Sequence, residues 1–212
     1  TQNYPVLYLL HGGGGDEDAW STMGRAVQIL DNLIEKKQAV PMICVMPNGN
    51  PGQQTAKTAL MEEKVYDRND PKFQNLYITS IVKDIIPYVE KNFRAIPTAD
   101  ARAVAGLSMG GAHTMSVTNE FPGTFNYICP LSIGLRTITP EVEAKMQGVK
   151  KAGYKLYWFA CGNEDFLWDI AKSTDAALTK NGLQHTFFVS PGGHTWANWR
   201  VYLNTFGKLL FK

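Results

Sequence analysis

The stretch Ala105-Gly106-Leu107-Ser108-Met109-Gly110-Gly111 constrains what this chain can fold into more than any other. Before it, Ala101-Arg102-Ala103-Val104-Ala105 reads as a short strand; after it, Gly111 to Thr118 reads as a helix of small residues. A strand that turns sharply into a helix around G-x-S-x-G holds its serine in a strained conformation, and the positions two before and two after must carry little or no side chain. The serine hydroxyl then projects from the sheet edge, and the first amides of the helix point at negative charge developing beside it. In a chain with 19 glycines the pentapeptide alone also arises by chance. The flanking strand and helix give it meaning.

Taken in order, the remaining elements alternate. Val6 to Leu10 is a continuous apolar run that predicts a buried parallel strand, ending in His11-Gly12-Gly13-Gly14-Gly15-Asp16. No Gly-Lys-Ser/Thr follows those glycines, so they do not read as a phosphate cradle. They suit a loop that brings a backbone N–H close to a reacting carbonyl, with His11 bracing it. A helix is predicted from Asp18 to about Lys37 and a strand over Val40 to Pro47. The polar stretch Asn48 to Gln74 reads as a long loop beyond a strand end, where Gln54, Phe73 and Gln74 are candidate substrate contacts and a solvated surface excursion is the rival reading. An amphipathic helix is predicted from Leu76 to Phe93, with Ile81, Ile85, Val89 and Phe93 on its apolar face and a kink at Pro87. Strands at Tyr127–Ser132, Tyr154–Ala160 and Gln184–Ser190 follow, with helices starting at Thr139, Leu167 and Trp196. Such alternation predicts an α/β fold with a mainly parallel sheet covered on both faces, a single domain over residues 1–212.

Composition excludes several classes. A net charge of +2 gives no ground for a nucleic-acid or acidic-membrane partner. No apolar run approaches the roughly 18–20 residues of a membrane helix. Cys44, Cys129 and Cys161 each lie in an apolar strand-like run and read as small core hydrophobes, with no CxxC or His-x-x-His spacing for a metal. No metal and no cofactor are expected.

A serine hydroxyl becomes a nucleophile only beside a base, and the base needs an orienting carboxylate. Asp165 follows one downstream strand and His194, in Pro191-Gly192-Gly193-His194, follows the next. Ser108, then Asp165, then His194 is the triad order of the α/β-hydrolase fold, and it delivers three side chains from three strand ends to one edge. Glu164 and Asp169 compete for the acid's role; Asp169 falls inside a predicted helix, whereas spacing alone does not exclude Glu164. Among the histidines, His113 reads as packed or capping and His185 opens a strand. The amides of Met109 and Gly13 are the candidate oxyanion donors. Trp196, Trp168 and Gln54 are candidate substrate contacts, with a core role the rival for the tryptophans.

On these residues the chain resembles the esterase D-like α/β-hydrolases, and within them the feruloyl and acetyl-xylan esterases of carbohydrate esterase family one. The resemblance is carried by Tyr4 to Gly15, Asp84 to Arg94, Ala105 to Gly111, Cys161-Gly162-Asn163-Glu164-Asp165 and Gly192 to Arg200, which together run most of the chain. It implies a triad acid three residues after Gly162, which is Asp165, and oxyanion amides at Gly13 and Met109. It further implies a cofactor-free serine esterase acting on hydroxycinnamoyl (feruloyl) esters of plant cell-wall xylan, in a secreted or periplasmic setting. The family usually has one or two antiparallel strands before the Tyr4 strand, and this chain starts too late to hold them. The expectation is therefore an N-terminally incomplete domain. Acetyl-xylan esterase, siderophore or other small-ester hydrolase, acyltransferase, and a non-catalytic carbohydrate-binding module are the alternatives.

Overall fold

The apolar runs of the central strands are covered on both faces, which is why their apolar residues run on without alternation; the edge strand that ends at Ser190 keeps Val189 exposed. The computed structural model describes residues 2–49 and 71–212, the side chains of 71–75 excepted. Its strands are β1 (Val6–Leu10), β2 (Ile43–Val45), β3 (Arg102–Leu107), β4 (Tyr127–Leu131), β5 (Leu156–Gly162) and β6 (Thr186–Ser190). They form one sheet in the order β2-β1-β3-β4-β5-β6, every neighbouring pair parallel.

Two apolar layers sandwich this sheet. Leu7 and Leu9 of β1 point toward α1 (Ala19–Thr22), α2 (Ala26–Glu35) and α8 (Trp196–Phe206), packing in one cluster with Trp20, Leu30, Tyr202 and Leu203. Val6, Tyr8 and Leu10 point the other way and cluster with residues of α3 (Pro71–Ser80), α4 (Ile86–Asn92) and α5 (Met109–Glu120), among them Ile78, Val89 and Val117. The same second face continues over β4 and β5, where Ile128 and Phe159 meet Met146 of α6 (Pro140–Ala152) and Leu178 of α7 (Trp168–Lys180).

The strand order fixes where a site can form. From β1 the chain moves outward to β2, then returns past β1 to β3, and the helices that follow β1 and β3 pack on opposite faces. Adjacent strands with diverging connections leave a crevice at their carboxyl ends. Leu10 pairs with Gly106 in register, so the glycine loop and the serine turn emerge side by side.

Several expectations are corrected. The helix predicted from Asp18 to Lys37 is two helices: a Cβ on Gly24 would lie 2.5 Å from the Trp20 ring and 2.9 Å from that of Trp196, and Arg25 turns left-handed with φ 55°. Helix α3 starts at Pro71, so the predicted loop ends earlier than Gln74. Gln54 lies outside the described residues, as do the side chains of Phe73 and Gln74. Between α3 and α4 the backbone widens into a π-helical turn, Ile81–Ile85, just before Pro87. A proline ring collides with the carbonyl four residues back in a regular helix, and the wider turn relieves that clash. Ile81 and Val89 are buried as expected, but Phe93 ends the helix with an exposed ring.

Candidate active site

The turn from β3 into α5 shows why glycine is required around Ser108. Ser108 has φ 52° and ψ −115°, a conformation that costs a side-chain-bearing residue about 1–3 kcal/mol and persists only where its surroundings enforce it. A Cβ on Gly106 would collide with the Gly110 carbonyl, and one on Gly110 would lie 2.5 Å from the carbonyl oxygens of both Leu10 and His11. The Ser108 amide donates to the Leu131 carbonyl at 2.9 Å, tying the turn to β4. Met109 is the first residue of α5, where backbone N–H groups have no intrahelical acceptor.

Across the crevice, Gly12 to Gly15 close a turn through the Gly15 amide on the Gly12 carbonyl at 3.2 Å. His11 is buried beneath it and both ring nitrogens are used. Nδ1–H donates to the Gly12 carbonyl at 2.8 Å, and Nε2 accepts from the Gly49 amide at 2.8 Å. This histidine joins the glycine loop to the turn after β2. Gly13 has open space where a side chain would be, consistent with an amide facing a cleft.

The candidate acid and base follow β5 and β6. Asp165 is 4% exposed and its Oδ1 accepts from the Leu167 amide at 2.9 Å. His194 Nδ1–H donates to the same carboxylate, 2.9 Å from Oδ2 and 3.0 Å from Oδ1. In a neutral imidazole this bond puts the lone pair on Nε2, the form a general base requires. Neither rival carboxylate is bonded to His194: Glu164 is exposed, and Asp169 is exposed and paired with Lys172 at 2.9 Å. The loop carrying His194 turns at Gly192 with φ 86°, and Asn198 Nδ2 donates to the Gly193 carbonyl at 2.9 Å.

Ser108 and His194 line one cleft of about 180 Å³, together with Gly12 to Gly15, Met23, Leu107, Trp196 and Trp199. The Ser108 hydroxyl makes no hydrogen bond to another side chain among the described residues; in ligand-free sites the nucleophile–base bond is often long and tightens with substrate. Trp199 stands edge-on to the imidazole at 4.9 Å, and its Nε1–H donates to Ser132 Oγ at 2.9 Å. Trp196 packs edge-on against Trp199 and Trp20.

The structure therefore brings Ser108, His194, Gly13 and Trp196 to one cleft, with Asp165 behind the imidazole and Met109 next to the serine. Trp168 lies elsewhere: it stacks on Phe187 at 5.8 Å, on the second face of the sheet, because the first turn of α7 faces that layer. Its place beside the histidine belongs to Phe166, whose ring centroid is 4.5 Å from that of His194. Its only signal in the sequence is adjacency to Asp165. The other histidines have local partners. His113 meets Tyr77 edge-on at 4.8 Å, and burial, with His11 nearby, holds its pKa down at about 4. All three cysteines are free, and burial pushes the Cys44 and Cys161 thiols up to about 12, far from a reactive thiolate. Among the described residues no three His, Cys, Asp or Glu side chains are grouped to hold a metal ion, and no helix is long and apolar enough to cross a membrane.

A parallel six-stranded sheet, a positive-φ serine between β3 and α5, and a later strand-end aspartate and histidine define the α/β-hydrolase fold. The chain belongs to the esterase family ("Putative esterase"), which it matches over residues 1–208. Among curated proteins it is 33% identical over 219 residues to an endo-1,4-beta-xylanase/feruloyl esterase of Xylanibacter ruminicola, and 34% identical over 124 residues to an esterase of Mycobacterium tuberculosis. The match takes in 100% of this chain with the first and 58% with the second. It spans only 27% and 24% of those proteins' lengths. Among solved structures, a feruloyl esterase module from Clostridium thermocellum complexed with sinapinate superposes with a TM-score of 0.78 at 23% identity, over 99% of this chain and 78% of that one. A ferulic acid esterase from Anaeromyces mucronatus gives 0.76 at 22%, over 99% and 80%. These structural likenesses establish the fold.

Proposed function

We propose that this chain is a serine carboxylic-ester hydrolase that cleaves feruloyl esters of plant cell-wall polysaccharide such as arabinoxylan, through an acyl-enzyme on Ser108. The observation that carries the chemistry is the Asp165–His194 pair opening onto the cleft of a strained, positive-φ serine. The Xylanibacter ruminicola relative, named a xylanase/feruloyl esterase and similar along the whole of this chain, supports the substrate.

In this reading His194 Nε2 takes the Ser108 proton as Oγ attacks the ester carbonyl. The oxyanion rests on the amides of Met109 and Gly13, each donor contributing roughly 3–4 kcal/mol to the transition state. The imidazolium, held by Asp165, then protonates the departing sugar alcohol. Water activated by the same histidine releases the acid. Apart from the attacking water, every group these steps invoke is a side chain or amide of this chain. Arabinoxylan as substrate further implies a secreted or periplasmic protein.

Turnover of methyl ferulate, methyl p-coumarate, p-nitrophenyl acetate and a feruloylated arabino-oligosaccharide tests the acyl group. The expected result is kcat/KM on the ferulate esters well above that on acetate. Turnover of the acetate alone moves the substrate to acetyl esters. No turnover by the wild type, on any of the four, contradicts the reading.

A further inference from the structure

Phe166 is the most exposed large apolar side chain among the described residues, at 74%, yet it is not loose. It sits inside a turn closed on both sides by Asp165, whose Oδ1 accepts from the Leu167 amide at 2.9 Å and whose carbonyl accepts from the Trp168 amide at 2.8 Å. The turn that aims the carboxylate at His194 thus also holds the Phe166 backbone, and its ring lies 4.5 Å from the imidazole at an interplanar angle of 47°. The imidazole accordingly has two aromatic neighbours of opposite character. Trp199 is buried and hydrogen-bonded to Ser132, which is a packing role. Phe166 faces water and is absent from the lining of the Ser108 cleft.

We propose that Phe166 is a specificity-determining residue for the leaving group, a platform on which the sugar ring of the departing alcohol stacks. The inference rests on the serine-esterase reading above. The oxygen that leaves must lie within hydrogen-bond reach of His194, because that residue protonates it. A leaving alcohol held at the imidazole and extending toward solvent comes within reach of the exposed Phe166 ring, 4.5 Å from that imidazole. The electron-rich face of an aromatic ring attracts the polarised C–H bonds of a pyranose or furanose, while the sugar hydroxyls stay in water. Covering the ring removes apolar surface from water, which favours the bound state.

The test is titration calorimetry with an unesterified arabinoxylo-oligosaccharide on Ser108→Ala, with and without Phe166→Ala. Removing the ring weakens binding by about 3–10-fold, the range expected for one aromatic stacking contact. Phe166→Trp restores it, which a merely structural role would not produce. In the otherwise wild-type enzyme, Phe166→Ala raises KM for a sugar ester by a larger factor than KM for the methyl ester of the same acid. Unchanged oligosaccharide affinity overturns the platform and leaves the esterase reading intact. Equal loss in kcat on both esters, with a shifted acid limb of the pH–rate profile, also overturns it and makes Phe166 a positioning residue for His194. Because the calorimetry uses no acyl group, an enzyme found to cleave only acetyl esters still tests the platform.

Discussion

Two histidine–aspartate pairs flank strand β6. At its start, His185 Nε2 lies 2.8 Å from Asp175 Oδ1; at its end, His194 Nδ1 lies 2.9 Å from Asp165 Oδ2. Pair distance does not tell them apart. At the first pair the other ring nitrogen, Nδ1, is spent on the Leu183 carbonyl at 2.8 Å, and the carboxylate is the exposed partner, 39% against 7% for the histidine. At the second the order is reversed: the Asp165 side chain is fully buried, the His194 side chain is 18% exposed, and Nε2 is left to face a cleft shared with Ser108. A buried acid behind a partly exposed base leaves the base free to exchange a proton; a partly exposed acid on a fully engaged histidine makes a brace. The free nitrogen and the direction of burial are what favour the second pair for the proposed catalytic role.

Mutations at the two ends of β6 should differ by orders of magnitude. The largest effect is expected from Ser108→Ala or His194→Ala, each lowering kcat by about 10⁶-fold in a steady-state esterase assay, as for other members of such triads. Asp165→Asn should cost about 10⁴-fold, because the amide no longer stabilises the imidazolium or fixes the tautomer. Glu164→Gln, one residue away, should stay within a few-fold, and the reverse ranking would sink the assignment of the acid. At the other end Asp175→Asn should leave kcat/KM within about twofold and cost about 1 kcal/mol of stability, since the carboxylate is partly exposed. In a chain of this size that lowers Tm by roughly 2–4 °C. A large loss of activity there would erase the distinction drawn between the pairs.

His113 sharpens the comparison as a histidine with no carboxylate partner among the described residues. Its pKa of about 4 in the fold lies below the ordinary 6.5, so the unfolded chain binds more protons between those values. Stability should therefore fall as pH drops from about 6.5 to about 4, with no contribution above that window. His113→Gln should flatten this part of a Tm-against-pH curve, and an unchanged slope would place the acid sensitivity elsewhere.

What the sequence made legible was whatever local sterics or strand order dictates. Gly106 could be read because it answers to a backbone collision within the same turn, with the Gly110 carbonyl, and Gly110 because the G-x-S-x-G pattern itself marks it, although its close neighbour is the Leu10 carbonyl of the adjacent strand β1. Asp165 and His194 could be read because a parallel sheet sends successive strand ends to one edge. Features set by distant partners were not legible. The break at Gly24 follows from the approach of Trp20 and Trp196, the latter from the far end of the chain. Trp168 and Phe166 are two residues apart and equally aromatic, yet the first helical turn of α7 sends Trp168 to the second face while Phe166 stays in the turn beside His194. The early start of α3 did have a signal, Pro71 at a helix's first residue, masked by the polar run around it.

The central claim is that His194, backed by Asp165, activates Ser108. Labelling the wild-type chain with a fluorophosphonate and locating the adduct by peptide mass spectrometry tests it most directly. The account predicts one adduct per chain, on Ser108, absent in Ser108→Ala and formed orders of magnitude more slowly in Asp165→Asn but not in Asp175→Asn. Labelling at another residue, or equal rates in the two aspartate variants, would contradict it.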